Sequence, residues 1–335
     1  MARILFAAYD AGPSRAFKNV MRELGNDQEA IDLTFDGKGD YTPERLARSV
    51  QAADVAIVGM SSLHNATLEL AITDLMTATK KPVYLFADTF GAWRREWFSG
   101  VQRRVTGVFV TTEAERLAAK RLYRRVIVSG NPAWDEYAFP NAHARTKLGM
   151  TLSVQKVILI SGTKKPELNR HMIEVTLTAG ERLRRKYPYV AYVYAPHPGD
   201  RTDRSVYDSL GTDFNAPFRL LDDGVRADDV VDAISGLIHP GNSSLAVHCI
   251  IAHRGKIPII DAPVDELDTY ITTELGGWEY TLNSMGATYR PKNLDDLCGA
   301  IDAMSGGIND LPIEVPQDMI RFMPGQAARK ILEVL

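Results

Sequence analysis

Short apolar runs alternate with segments of helical period along the whole chain. In the first half the runs fall at 3–8, 30–35, 53–60, 82–87, 107–111 and 125–129, with helical segments at 43–52, 66–80 and 113–123 between them. Continuous runs of this length, rich in Val, Ile and Phe, predict strands buried on both faces. Their alternation with helices predicts α/β layers around parallel sheets. The rhythm breaks over 138–153, where Pro, Asn and Gly carry no apolar period, and this places a connection between domains there.

The alternation resumes with strands expected at 156–161, 190–195, 218–221, 236–239, 256–261 and 287–289, and helices at 169–186, 227–233, 245–254 and 293–304. The pattern thus predicts two Rossmann-like domains, 1–145 and 153–316. Residues 317–335 read as one amphipathic closing helix that can pack back across the first domain. No self-similarity with a period of about 20–50 residues is present, which argues against a solenoid or propeller.

At 335 residues the chain exceeds what one hydrophobic core organises, in line with two domains. Its 45% hydrophobic and 24% charged residues exclude a disordered chain. The start, MARILFAAYD, is too short an apolar run for a secretory signal or a membrane span, and the longest apolar stretches elsewhere are strand-sized. Cys249 and Cys298 lack metal-ligand spacing. A cytoplasmic protein without structural zinc or disulfides is expected. The net charge is -3, yet residues 80–125 hold eleven Lys or Arg against four acids, a local balance of +7. Such asymmetry points to an anionic partner, or simply to a solvated face.

Ligands of open parallel sheets sit at the carboxyl ends of the strands, so the strand-to-helix loops are where chemistry is expected. Four stand out. Tyr9-Asp10-Ala11-Gly12-Pro13-Ser14 offers Gly12 for a tight turn but lacks the GxGxxG dinucleotide pattern. Gly162, Thr163, Lys164 and Lys165 supply backbone N–H groups and two ammonium groups that suit a diphosphate. In Ala195-Pro196-His197-Pro198-Gly199 two prolines stiffen the chain around an imidazole able to donate to a phosphate or sugar oxygen. Gly241, Asn242, Ser243 and Ser244 precede a helix whose first N–H groups can receive a phosphate. Each loop also reads as an ordinary turn or helix cap.

Together these features resemble the GT-B superfamily of nucleotide-sugar enzymes, which implies two facing Rossmann-like domains with the donor bound by the second. Val128-Ser129-Gly130-Asn131-Pro132 followed by Asp135 is similar to the V-x-G-N-x-x-x-D segment of the UDP-N-acetylglucosamine 2-epimerases. Gly241–Ser244 and His197 look like that family's phosphate turn and His-Pro loop, and Lys164-Lys165 with Glu167 and Asn169 resembles its basic H-R-x-E-N segment. Where that family places acids in the helix after the phosphate turn, this chain reads Leu245-Ala246-Val247-His248-Cys249. Its His-Gly-Asp and Pro-Glu-Glu segments are missing as well. In the first domain Tyr84-Leu85-Phe86-Ala87-Asp88, followed by Thr112-Glu113-Ala114-Glu115, is similar to the phage DNA β-glucosyltransferases. That resemblance implies Asp88 as general base.

The resemblance implies a nucleotide-diphosphate sugar as substrate, with no separate cofactor and no metal ion. Gly12, Gly162, Thr163, Lys164, Lys165, His197, Gly241, Asn242, Ser243 and Ser244 are the expected donor contacts. Asp88 can equally cap a helix or pair with Arg94 or Arg95. After it, Trp93, Arg94, Arg95 and Trp97, then Arg103 and Arg104, interleave aromatic and guanidinium groups, as nucleic-acid and membrane-interface sites do. Trp93 and Trp97 one helical turn apart also fit a core with the arginines outside. The leading expectation is a glycosyltransferase acting on an anionic acceptor, either modified phage DNA or a lipid-linked or polymeric glycan. The alternatives are a hydrolysing epimerase and an inactive nucleotide- or nucleic-acid-binding protein of the same fold.

Overall fold

The computed structural model describes residues 2–38, 40–62, 65–149, 156–241, 243–264, 282–306 and 311–335. These fall into two compact units. The first comprises the described residues of 1–138 together with Phe322–Leu335, and the second the described residues of 139–264 and 282–321.

The first unit is built on six strands: β1 (Ala2–Ala8), β2 (Gln28–Thr34), β3 (Val55–Gly59), β4 (Val83–Phe86), β5 (Gly107–Val110) and β6 (Val126–Val128). All pair in parallel, in the order β2-β1-β3-β4-β5-β6. Alternate residues face opposite sides, as the strand period of two requires. Leu5, Ala7, Val58, Leu85 and Val108 join one core with Leu68, Ile72 and Met76 of α3 (Thr67–Ala78). Ile4, Phe6, Ile57, Phe86 and Phe109 join another with Phe17 and Val20 of α1 (Ala11–Arg22) and Ile331 of the helix Gln326–Leu332. Two further helices, α2 (Pro43–Ala52) and α4 (Glu113–Ala119), begin on Thr42 and Thr112, whose hydroxyls accept the N–H of Arg45 and Glu115.

The second unit has five parallel strands, β7 (Lys156–Ser161), β8 (Val190–Ala195), β9 (Phe218–Leu220), β10 (Gly236–His239) and β11 (Ile259–Asp261), in the order β11-β10-β7-β8-β9. After the short α5 (Ala144–Lys147), its helices include α6 (Pro166–Leu183), α7 (Arg204–Thr212) and α8 (Ser244–His253). Within each sheet the strand order reverses beside its first strand, β1 in one and β7 in the other, the point at which an open parallel sheet forms a ligand crevice.

Several expectations change. The strand expected at 287–289 is a single bridge between Tyr289 and Ile260. Residues 227–233 and 92–98 form 3₁₀ turns, not α-helix. The closing segment is two short helices, Gln317–Ile320 and Gln326–Leu332, because Pro324 and Gly325 (φ +75°) interrupt it. Its last part, Phe322–Leu335, belongs to the first unit. No helix among the described residues is long and apolar enough to cross a membrane.

Candidate functional site

At the carboxyl end of the first sheet, Asp88 follows β4 and lies against the start of α1. A Cβ on Gly12 would collide with its Oδ2 and stand 3.4 Å from its Cγ. Gly12, expected with the donor loops, is therefore a residue of the first unit that makes room for Asp88. Asn131, just beyond β6, donates from Nδ2 to the Asp88 carbonyl (2.6 Å) and accepts the Ala133 N–H on Oδ1 (2.8 Å). Glu115 accepts the Gly91 N–H (2.9 Å) and the Thr111 N–H (3.1 Å), which ties the loop after Asp88 to the end of β5. Gly91 has φ +75°, a turn geometry that glycine adopts without strain.

Asp88 is half-buried as a residue, and its Oδ1 is enclosed and has no hydrogen-bond partner among the described residues. Burial raises its pKa to about 6; Arg95 opposes the rise and Asp10 adds to it. Arg95 is buried, and burial pulls its pKa down against the pull of Asp88, Asp10 and Glu69.

Asp10, Ser61, Ser62, Asn65 and Glu69, none of them among the expected site residues, complete this end of the sheet. Asp10 accepts the Ser62 N–H (2.7 Å) and the Asn65 side-chain amide, while its own N–H donates to Ser61 Oγ (3.0 Å). Glu69 of α3 accepts the Tyr9 N–H (2.8 Å) and the Ser61 hydroxyl; burial pushes its pKa up to about 7. A signal was present in the sequence, since Glu69 interrupts an otherwise apolar stripe of Leu68, Ile72 and Met76.

The residues expected at the acceptor fall in different settings. Trp93 is 3% exposed and belongs to the core, where its carbonyl accepts the Tyr123 hydroxyl (2.8 Å). Arg95 lies inside, 5.8 Å from the centre of the Trp97 ring, and not on the surface. Trp97 is half-buried and donates from Nε1 to the Ser61 carbonyl (3.0 Å). Arg94 covers the Trp93 ring at 5.7 Å. Helical spacing does not apply here, because two 3₁₀ turns carry these residues. Arg103 and Arg104 are exposed, but they precede β5 and so stand at the amino end of the sheet, away from Asp88.

In the second unit the expected donor loops leave β7, β8 and β10, adjacent strands of one sheet. A Cβ on Gly162 would strike the Tyr194 hydroxyl, and the Gly162 N–H donates to the Ala195 carbonyl (3.0 Å). Asn169 is fully buried and joins two loops. Its Oδ1 accepts the Thr163 N–H (2.6 Å), and its Nδ2 donates to Thr163 O (3.0 Å) and Asp200 Oδ2 (2.9 Å), which also accepts the Tyr207 hydroxyl (2.6 Å). Lys165 donates its N–H to Thr163 Oγ1 (2.9 Å). Lys164 is exposed and lies along Gly199, its Cε 3.2 Å from where a Cβ would be.

His197 Nδ1 accepts the Gly199 N–H (2.9 Å), which leaves the proton of the neutral ring on Nε2. Burial, then Lys164, lowers its pKa. Gly241 has φ +89°, Ser243 caps α8 by accepting the Leu245 N–H (3.2 Å), and Ser244 is exposed. Asn242 lies outside the described residues. Beneath this turn, His239 Nε2 approaches Asp261 Oδ1 at 2.8 Å.

No family model matches the sequence, and no curated protein matches it. Solved structures do. The UDP-N-acetylglucosamine 2-epimerase of Methanocaldococcus jannaschii superposes with a TM-score of 0.62 at 13% identity, over 99% of this chain and 98% of its own. S. aureus MnaA, solved with UDP, gives 0.61 at 14% identity over 99% and 95% of the two chains. The spinosyn rhamnosyltransferase SpnG gives 0.54 at 14% identity over the full length of both. The chain shares the two-domain, Rossmann-like GT-B fold of these structures.

Proposed function

We propose that this chain is a glycosyltransferase that moves a sugar from a nucleoside-diphosphate-sugar donor to an acceptor hydroxyl, with Asp88 as general base and no metal ion in the transfer. The setting of Asp88 carries this reading. A carboxylate at the end of a central strand, seated over Gly12 and raised to about 6, is ionised at neutral pH yet basic enough to take a proton. The Lys164 ammonium, the first turn of α8 and the Nε2–H of His197 suit the negative charge that develops on a departing diphosphate, while the Gly162, Thr163 and Lys165 N–H groups are already engaged within the fold and shape the turn. The likeness of fold to MnaA solved with UDP and to SpnG supports the donor class. Because Trp93 and Arg95 are internal, the acceptor is read simply as a hydroxyl compound that meets Asp88.

The whole-chain likeness to several UDP-N-acetylglucosamine 2-epimerases favours hydrolysing epimerisation as the second reading. Thermal shift with nucleoside diphosphates selects the donor base, since a ligand of the native state raises the unfolding temperature. Incubation with the matching sugar nucleotide then separates the reactions. Consumption only when an acceptor is added supports transfer, and free sugar without an acceptor supports epimerisation. UDP binding with no turnover of any donor would leave only the inactive binding protein.

The pH dependence has a defined sign. Asp88 must be ionised to act, so kcat/KM is expected to fall about tenfold per unit below pH ~6 and to level off above it, because at pH 7 roughly ten carboxylates are ionised for each one protonated. Initial rates across pH 4.5 to 8 at substrate well below KM check this; a profile flat through that range would remove Asp88 from the role of base.

A further inference from the structure

The segments that feed β4, β5 and β6, residues 79–82, 99–106 and 120–125, contain eight Lys or Arg and no Asp or Glu. The parallel sheet sets them side by side. The Thr106 N–H donates to Val83 O (2.8 Å), the Val108 N–H donates to Arg125 O (3.0 Å), and neighbouring strands lie about 4.8 Å apart. Three of the eight cations serve the fold. Lys81 Nζ caps the end of α2 through the carbonyls of Val50, Gln51 and Ala53, Arg104 meets Asp74 of α3 at 2.7 Å, and Arg125 donates to the Tyr84 hydroxyl (3.0 Å). The other five, Lys80, Arg103, Lys120, Arg121 and Arg124, are exposed, and among the described residues no hydrogen bond or ion pair engages their side chains.

Helices α3 and α4 run back toward this edge, and the last turn of each exposes a leucine, Leu75 at 37% and Leu117 at 58%. Of the other apolar groups nearby, Leu122 is half-buried, and Val101, Val105 and Tyr123 are inside, at most 4% exposed.

We infer that this amino-terminal edge of the first sheet docks on an anionic phospholipid surface. Cations adsorb to the negative headgroups within a Debye length, and leucines beside them enter the boundary between headgroups and acyl chains. A nucleic acid backbone would use the cations alone, and the edge presents no exposed aromatic ring on which bases could stack. Asp88 stands at the other end of the sheet, about 20 Å away at ~3.3 Å per strand residue from Pro82. Docking therefore holds the candidate base off the bilayer and localises the chain without presenting a headgroup to Asp88. The inference stands independently of the proposed reaction.

The test is co-sedimentation of the full chain with vesicles of phosphatidylcholine containing about 30% phosphatidylglycerol, against vesicles of phosphatidylcholine alone. Binding is expected only to the anionic vesicles at ~50 mM salt, with at least about a tenfold loss at ~500 mM. The exposed-site variant R121E/R124E should abolish it, and Leu117→Ser should weaken it several-fold at an unchanged unfolding temperature. If R121E/R124E does not fold, the salt series on the unaltered chain and Leu117→Ser decide. No binding to anionic vesicles, or undiminished binding by folded R121E/R124E, overturns the inference. So does a neutral Leu117→Ser combined with duplex DNA bound as tightly as the vesicles, a result that would make the edge a nucleic-acid surface.

Discussion

Asp88→Asn is expected to lower kcat by about 10²–10⁴-fold, the range over which a positioned general base contributes, equivalent to ~3–5 kcal/mol of barrier. The side chain keeps its shape and its place over Gly12, but the amide cannot take a proton. Donor binding should survive, because the loops at Gly162–Lys165, His197 and Gly241–Ser244 belong to the second unit. Thus the thermal shift with the nucleoside diphosphate stays while turnover goes. A fall in stability is also expected. Asp88 is the strongest of three carboxylates that offset the buried Arg95, and removing one partner leaves a buried cation less well compensated. Rates must therefore be compared well below the lowered unfolding temperature. Wild-type turnover in a folded Asp88→Asn enzyme would eliminate the proposed base.

Much of this architecture could be read before any coordinates, for a physical reason. Strands buried on both faces form uninterrupted apolar runs, so 190–195 and 236–239 match β8 and β10 residue for residue. Helix α7 escaped because its nine residues, RSVYDSLGT, bury only Tyr207 and Leu210, too few to make a stripe. The break in the closing helix was visible in Pro324-Gly325 and was outweighed by the amphipathic residues around it.

The candidate site was legible only in part. Asp88 declared itself as an acid ending an apolar run, and Asn131 as part of a recognisable segment. Its partners did not, because they are brought together by strand order and not by sequence. Asp10 and Glu69, joined through Ser61, come to bear on Arg95 beside Asp88 only after β1, β3 and β4 lie side by side. Which edge the basic excess at 80–125 occupies was hidden for the same reason. Counting along the chain cannot tell which end of a strand a residue occupies: the four acids of 80–125 follow β4 or β5, whereas eight of its eleven cations lie on the segments that lead into β4, β5 and β6.

Gly12→Ala tests whether the position of that carboxylate, and not just its presence, sets the rate. Position 12 lies in the first turn of α1 and is not among the positive-φ glycines, so its backbone accepts alanine, and helix propensity favours the change. Only Asp88 stands in the way: the new methyl would overlap Oδ2, and the carboxylate must swing aside. A misplacement of about 1 Å at a reacting group costs on the order of 10²-fold, so kcat is expected to drop by that much while the unfolding temperature holds or rises. The opposite signs distinguish displacement from general damage. If both substitutions act through the same carboxylate, adding Gly12→Ala to the Asp88→Asn enzyme should reduce kcat little further, since residues acting as a unit are not additive. A full further hundredfold loss in the double variant would place the contribution of Gly12 elsewhere, and an unaltered kcat in the single variant would show that Asp88 need not occupy the position where β4 and α1 hold it.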